Sequence, residues 1–544
     1  MPFTVTISKR KLFSLPFLFI LPIIIFWGGV TGIQFTPPGY SAFCQDPEYP
    51  YLFNSVNFYA NFSMGGLVYH PGTFTAAHDG LVLMTRNALA GDRDFVDQVL
   101  LNTEDSIHFL RRFHLLEYSL VLLAIGITAW FFADNIFSPL ALQFAPYLAP
   151  RSLMADSFLV RPDTQVILLS LIIGTVLYCY KYLHKKYEGS LILVVLMSLL
   201  MSFLLTSKTT ALPLAIIPLF FITKWGHRAV YFVLTAMVAL VLCLPLLSSL
   251  DTMINFYSAL LTGSGEYGHG ESFINWGSFA GNLLKIGINQ PMAFLLFLIN
   301  LALGIHVALK NGLGDKSFRI HVAIACVQTL CIFITARNVP KDRYLIPFTV
   351  FSGINLALLA DWCRVNLTGK WRKALPVVAV TLLAFFISQK ETRLIIRDAR
   401  SYNRQAQKAI ELAKWSHHLV NPSRTVWGKY ISTPEGALSY GASYAPELYP
   451  HMCRLWPNVK WHYMAYYCYI DNFCGSPARL SPLELSKKQD SLYYWISGRF
   501  PLPPGLAFRT LAILDNGKLA YNELLLQVVG ILPDSRMPGI IVDF

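Results

Sequence analysis

The sequence has little charge. Only 14 % of its 544 residues are Asp, Glu, Lys or Arg, while 54 % are hydrophobic; ordinary globular proteins carry roughly 25 % charged residues. So few charges cannot cover a soluble chain of this length, and so many apolar residues exclude intrinsic disorder. The nine cysteines include no CxxC pair and no zinc-ligand spacing, which excludes a zinc module or a small disulfide scaffold. There is no repeat in the solenoid range of roughly 20–50 residues and no low-complexity linker. What is present is a series of long apolar runs, and the chain reads as a polytopic α-helical membrane protein.

Eleven runs are candidate spans: about Leu12–Ile33, Leu115–Phe132, Pro139–Leu148, Gln165–Tyr180, Leu191–Leu205, Ala211–Phe221, Ala229–Leu247, Pro291–Leu309, His321–Thr335, Tyr344–Leu359 and Ala374–Ile387. Crossing the hydrocarbon takes about 20 helical residues, so the shorter runs must reach into their flanks. Pro139–Leu148 also fits a re-entrant hairpin. The first run is too long for a signal peptide and lacks a small-x-small cleavage site, so it reads as a retained helix.

Basic residues sort by connection. Lys9, Arg10 and Lys11 precede the first run. Lys181, Lys185 and Lys186, then Lys224 and Arg228, then Lys310, Lys316 and Arg319, then Arg364, Lys370, Arg372 and Lys373 fill even-numbered connections. The first connection, about Thr36 to His114, holds eight acids and four bases. Positive-inside bias places the N-terminus in the cytoplasm and, after eleven passes, the C-terminus outside. The net charge of +13 is then topogenic and implies no nucleic-acid partner. Residues 1–389 form the membrane module, with an outer first loop at 36–114. Residues 390–544 form an extracytoplasmic C-terminal α/β domain, with strand-like stretches at Arg424–Tyr430 and Ala507–Leu514. Cys44, Cys453, Cys468 and Cys474 share the outer side, where disulfides are permitted; Cys468 with Cys474 is the favoured pairing.

Chemistry concentrates at the outer ends of the spans. Asp46 and Glu48 follow the first span; they could hold a divalent metal, take a proton from a hydroxyl, or be solvated loop acids. His70, before a Pro71-Gly72 turn, could bind phosphate or hold an acid in place. Thr73–Ala90 and Asp94–Phe109 have helical apolar spacing, with His78, Asp79 and Arg86 as polar members of the first. Asp163 follows Pro162 at the start of the fourth span, either a helix-terminal acid or a third site carboxylate. Arg337, Lys341, Arg343 and Tyr344 put bases where the topology disfavours them, and Lys208 is another outer base; these suit a phosphate. The glycine-rich Gly263–Glu271 loop lacks a nucleotide-binding context.

In this order the residues resemble the GT-C superfamily of membrane glycosyltransferases, in particular the branch with protein mannosyltransferase and aminoarabinose transferase. The likeness rests on the loop bearing Asp46 and Glu48, on Tyr69-His70-Pro71-Gly72 beside the family's His-Pro-Pro, on Asp163, and on Arg337–Tyr344. Two departures stand out: Pro47 separates the acids, and Gly72 replaces the second proline. The resemblance implies a GT-C fold with about 11 transmembrane helices. It also implies transfer of a sugar from a polyprenyl-phosphate donor to an envelope glycan, lipid or protein, with inversion, at a bacterial or archaeal cytoplasmic membrane. Asp46 would be the base, Asp163 would assist or position the acceptor, and Glu48 would orient a partner. His70, Lys208, Arg337, Lys341, Arg343 and Tyr344 would meet the substrate. Mg²⁺ or Mn²⁺ on Asp46, Glu48 and Asp163 stays open. The alternative class is a transporter or flippase of a lipid-linked saccharide.

Overall fold

A computed structural model describes residues 9–34, 48–65, 72–91, 94–133, 135–154, 157–182, 190–262, 276–337, 342–416, 425–427, 434–457 and the strands given below. Eight of the described helices are long and apolar enough to cross a membrane, as in an integral membrane protein. The short α1 (Lys9–Ser14) leads into α2 (Phe17–Gln34), the first span. The first loop carries α3 (Glu48–Asn61), α4 (Thr73–Ala90) and α5 (Phe95–Leu101), and α6 (Thr103–Phe132) returns. Three short helices follow: α7 (Phe137–Gln143), α8 (Ala145–Leu148) and α9 (Pro150–Leu153). Then come α10 (Pro162–Tyr180), α11 (Leu191–Ser207), a 3-10 stretch (Thr209–Phe220) and α12 (Trp225–Cys243). α13 (Leu250–Thr262) and α14 (Trp276–Asn289) precede α15 (Pro291–Asn311), α16 (Lys316–Arg337), α17 (Ile346–Asn366) and α18 (Lys370–Ser416).

Local rules explain the boundaries. Pro162 opens α10, where its missing N–H would be unpaired anyway, and Arg161 before it is extended. α4 runs from Thr73 to Ala90 as the spacing predicts, flanked by Gly72 (φ 63°) and Gly91 (φ 79°), both left-handed. The expected helix at Asp94–Phe109 is instead divided at Asn102 (φ −119°, ψ 44°). The Asn102 side chain donates back to Gln98 O at 3.0 Å, a local bond that competes with continued helix.

The eleven expected spans are not all long helices. Pro139–Leu148 is broken into α7 and α8, Leu191–Leu205 lies in the 17-residue α11, and Ala211–Phe221 overlaps the 3-10 stretch. Pro213 and Pro218 lie inside that stretch and lack the N–H donors that an α-helix would use. A 3-10 helix rises about 2.0 Å per residue, so its twelve residues reach about 24 Å.

α10 and α17 are buried almost throughout, whereas α2, α12 and α18 turn Trp27, Met237, Leu240 and Phe386 outward. Lipid tails accept such side chains as readily as a core does. At one end of the bundle Asp361 of α17 accepts bonds from Lys181 (2.9 Å), Tyr182 (2.7 Å) and Ser138 of α7 (2.7 Å). At the other end Gln290 donates to Ser152 of α9 and to Asp342, both at 3.0 Å.

A second apolar core joins the first loop to the tail. Tyr49, Phe53 and Val56 of α3, Leu83, Leu110 and Val160 pack with Ala437, Tyr440, Leu448 and Met452. The last four come from α19 (Pro434–Ala442), the turn after it, and α20 (Tyr449–Leu455). α18 runs without interruption through residue 390. Beyond it lie β1 (Thr425–Trp427), β2 (His462–Ala465), β3 (Tyr469–Asn472), β4 (Arg479–Leu480), β5 (Tyr493–Ser497), β6 (Leu506–Leu514), β7 (Glu523–Ile531) and β8 (Gly539–Ile541). They pair in the order β4-β3-β2-β1-β5-β7-β6-β8. β1 is parallel to both neighbours, with Val426 opposite His462 and Tyr494.

Candidate active site

Glu48 occupies the first turn of α3, the end where a helix favours an acid. It is fully buried and paired with Arg111, itself fully buried on α6. Arg111 Nε donates to Oε1 at 3.1 Å, its terminal nitrogen donates to Oε2, and the Val160 N–H donates to Oε1 at 2.8 Å. Burial alone would raise the carboxyl; the Arg111 guanidinium outweighs it and holds Glu48 below the usual carboxylate range.

Val160 leads through Arg161 and Pro162 to Asp163, buried in the first turn of α10. Lys208, extended at the end of α11, reaches back to Asp163 with Nζ 2.6 Å from Oδ1. The same Nζ lies 5.4 Å from the centre of the Tyr344 ring, and the Arg343 guanidinium lies 5.2 Å from it. Two cations thus share one aromatic ring. Burial and the Asp163 carboxylate push the Tyr51 hydroxyl up, with Arg161 opposing.

Glu48, Asp163, Lys208, Arg343 and Tyr344 therefore fall at one end of the bundle, and Arg337 closes α16 half-buried. Asp46, His70 and Lys341 lie outside the described residues, as do Cys44, Cys468, Cys474 and the 263–271 loop. Cys453 is disulfide-bonded. Arg111 and Arg161 were missed as site residues. Their positions in the chain read only as loop bases, and nothing local marks a partner as distant as Glu48.

A polar network also joins α4 to α6. His78 Nδ1 lies 2.8 Å from Asp79 Oδ1, His78 Nε2 lies 2.8 Å from Glu117 Oε1, and His114 Nε2 lies 2.9 Å from Asp79 Oδ1. Gln165, two residues past Asp163, lies 3.2 Å from His78 Nδ1. Burial would lower the His78 imidazole, but the bonds to Asp79 and Glu117 raise it to about 10. Burial would raise Asp79, but His114 and His78 bring it to about 2. Among the described residues two groups could hold a divalent cation: His78 with His114 and Glu117, and Asp94 with Asp97 and His451. The sequence pointed to neither as a metal site, because each draws on segments far apart in the chain.

No family model and no curated protein match the chain. Among solved structures it is similar to ArnT from Cupriavidus metallidurans bound to undecaprenyl phosphate, at 11 % identity and a TM-score of 0.48, over 94 % of this chain and 97 % of that one. The apo state of the same protein gives 13 % identity, a TM-score of 0.48 and the same shares. The archaeal oligosaccharyltransferase AglB from Archaeoglobus fulgidus, in complex with an inhibitory peptide and a dolichol-phosphate, gives 10 % identity and a TM-score of 0.45. That likeness covers 80 % of this chain and 64 % of AglB.

Proposed function

We propose that the chain is a GT-C-type glycosyltransferase that moves a sugar from a polyprenyl-phosphate donor to an acceptor hydroxyl on the outer face of a cytoplasmic membrane. The observation that carries this is the buried Asp163–Lys208 pair set against Tyr344 and Arg343. An acid and two cations from three separate segments converge where a sugar phosphate would need both. The phosphate meets Lys208 and Arg343, with His70, Arg337 and Lys341 around it. The acceptor oxygen attacks the anomeric carbon as its proton passes to Asp46. The carbon–phosphate oxygen bond breaks, and polyprenyl phosphate leaves with inversion at carbon. Asp163 positions the acceptor. Glu48, with both oxygens engaged by Arg111 and Val160, fixes the start of α3, two residues along the chain from Asp46.

The topology belongs to the same proposal. Eleven passes put Lys181 and the Asp361 cluster on the cytoplasmic side. They put the site and the C-terminal domain outside, where the Cys453 disulfide is at home. The acceptor is an envelope glycan, lipid or protein, and any Mg²⁺ or Mn²⁺ requirement would fall to Asp46 and Asp163. The test is transfer by purified protein in lipid discs from a panel of radiolabelled polyprenyl-phosphate sugars to extracted envelope acceptors. Label should move with the native protein and not with folded Asp46→Asn. Translocation of the donor without a new glycosidic bond would instead establish a flippase.

A further inference from the structure

We propose that His78, His114 and Glu117, with Asp79 behind the rings, form a binding site for a divalent transition-metal ion of the zinc class, which clasps the first-loop helix α4 to the span α6. Each imidazole has an acceptor at both nitrogens. His114 lies between Leu159 O (3.2 Å from Nδ1) and Asp79 Oδ1 (2.9 Å from Nε2). His78 lies between Asp79 Oδ1 and Glu117 Oε1, 2.8 Å from each. A neutral ring has one proton for two such neighbours. Each ring therefore either takes a second proton or gives one nitrogen to a cation, and a single divalent cation could serve both rings. The carboxylates make the same demand. Asp79 Oδ2 and Glu117 Oε2 are buried and bond no described residue, and Asp79 and His114 are fully buried. Unsatisfied carboxylate oxygens at such a place are costly.

The donor set suits zinc better than magnesium. Two imidazoles with carboxylate oxygens are the ligands of many Zn²⁺ sites, whereas Mg²⁺ prefers oxygen and water. The ligand atoms of His78, His114 and Glu117 lie within 4.8 Å of one another; small side-chain movements bring them onto a tetrahedral ion with ligands at about 2.0–2.1 Å. The outer contacts are already built. Leu159 O takes the His114 Nδ1 proton and Asp79 Oδ1 takes that of His78 Nδ1, which leaves both Nε2 lone pairs facing the ion. The site is independent of sugar transfer: its effect is to hold α4 in place.

The test uses the full-length protein in detergent, purified without chelator, stripped with EDTA and reloaded with Zn²⁺ or Co²⁺. About one Zn²⁺ per chain should return, Zn²⁺ should raise the Tm by several degrees and Mg²⁺ should not. Co²⁺ should give visible absorption bands of a nitrogen- and oxygen-ligated tetrahedral site. Glu117→Gln and His114→Asn should lower the stoichiometry at least tenfold at micromolar Zn²⁺, while Asp97→Asn in the second group should not. Folded native protein that takes up no Zn²⁺ and shows no Tm shift would overturn the proposal, and so would uptake lost in Asp97→Asn but kept in Glu117→Gln. The native measurements decide the matter even if a variant fails to fold.

Discussion

Glu48 and Arg111 lie 63 residues apart in the chain and close on one another with both side chains fully buried. Breaking one partner leaves the other as an uncompensated buried charge. Arg111→Met should therefore cost about 3–5 kcal/mol, and the double variant Glu48→Gln/Arg111→Met should recover much of it. Unfolding curves of the purified protein in detergent give both numbers; equal losses in the single and double variants would show that the pair itself is not the source.

The ring of Tyr344 separates packing from chemistry. Tyr344→Phe keeps a π-face under Lys208 and Arg343 and should leave donor KM within about twofold. Tyr344→Leu removes it and should weaken donor binding by about 1–2 kcal/mol. Lys208→Met should lower transfer by about a hundredfold or more, because it removes a phosphate-facing charge and leaves Asp163 without its partner. Steady-state transfer with varied donor resolves the three variants.

The junction between α5 and α20 should loosen in acid. Burial would raise the Asp97 carboxyl, but bonds from His451 and Arg454 outweigh it and hold it below its usual value. A depressed folded pKa stabilises fully above the unfolded value of about 3.9 and is lost as pH falls through the folded one. Hydrogen exchange of the α20 amides should accelerate below about pH 4, and Asp97→Asn should abolish that step. Arg454 is 58 % exposed, so high salt should weaken the junction.

Two glycines mark close approaches that a methyl group would disrupt. A Cβ on Gly65 would lie 1.8 Å from the Tyr444 carbonyl oxygen, and one on Gly80 would lie 2.5 Å from that of Ser55. Gly65→Ala should detach α19 and α20 from the first loop and expose them to limited proteolysis. Gly80→Ala should separate α3 from α4. Each should cost about 1–3 kcal/mol. Gly28→Ala, with open space around it, is the control and should be close to neutral.

The amphipathic helix Thr73–Ala90 and the Pro162 helix start were legible because both depend on residues within a turn or two. Asp163, Lys208 and Tyr344 could be singled out because each is a polar residue at the edge of an apolar run. What could not be read was partnership. Arg111 looks like one of several loop bases until the fold places it on Glu48. His114 and Glu117 look like the polar entry to a span until α4 lies against them. Apolar periodicity also cannot distinguish an α-helix from the 3-10 geometry that Pro213 and Pro218 impose, nor show that Asn102 would bond back onto Gln98 and divide a helix.

α18 is the covalent link between the bundle and the tail; the apolar core that packs the tail on the first loop is a non-covalent one. Its 47 residues make a rod about 70 Å long at 1.5 Å per residue, more than twice the thickness of the hydrocarbon. Pro376 lies in its second turn and removes a backbone bond there, the usual place for a helix to bend. A bend of about 5° at that point would swing the far end of such a rod through about 5 Å. α18 thus starts near the Asp361 end of the bundle and carries the chain past the full thickness of the membrane into the tail.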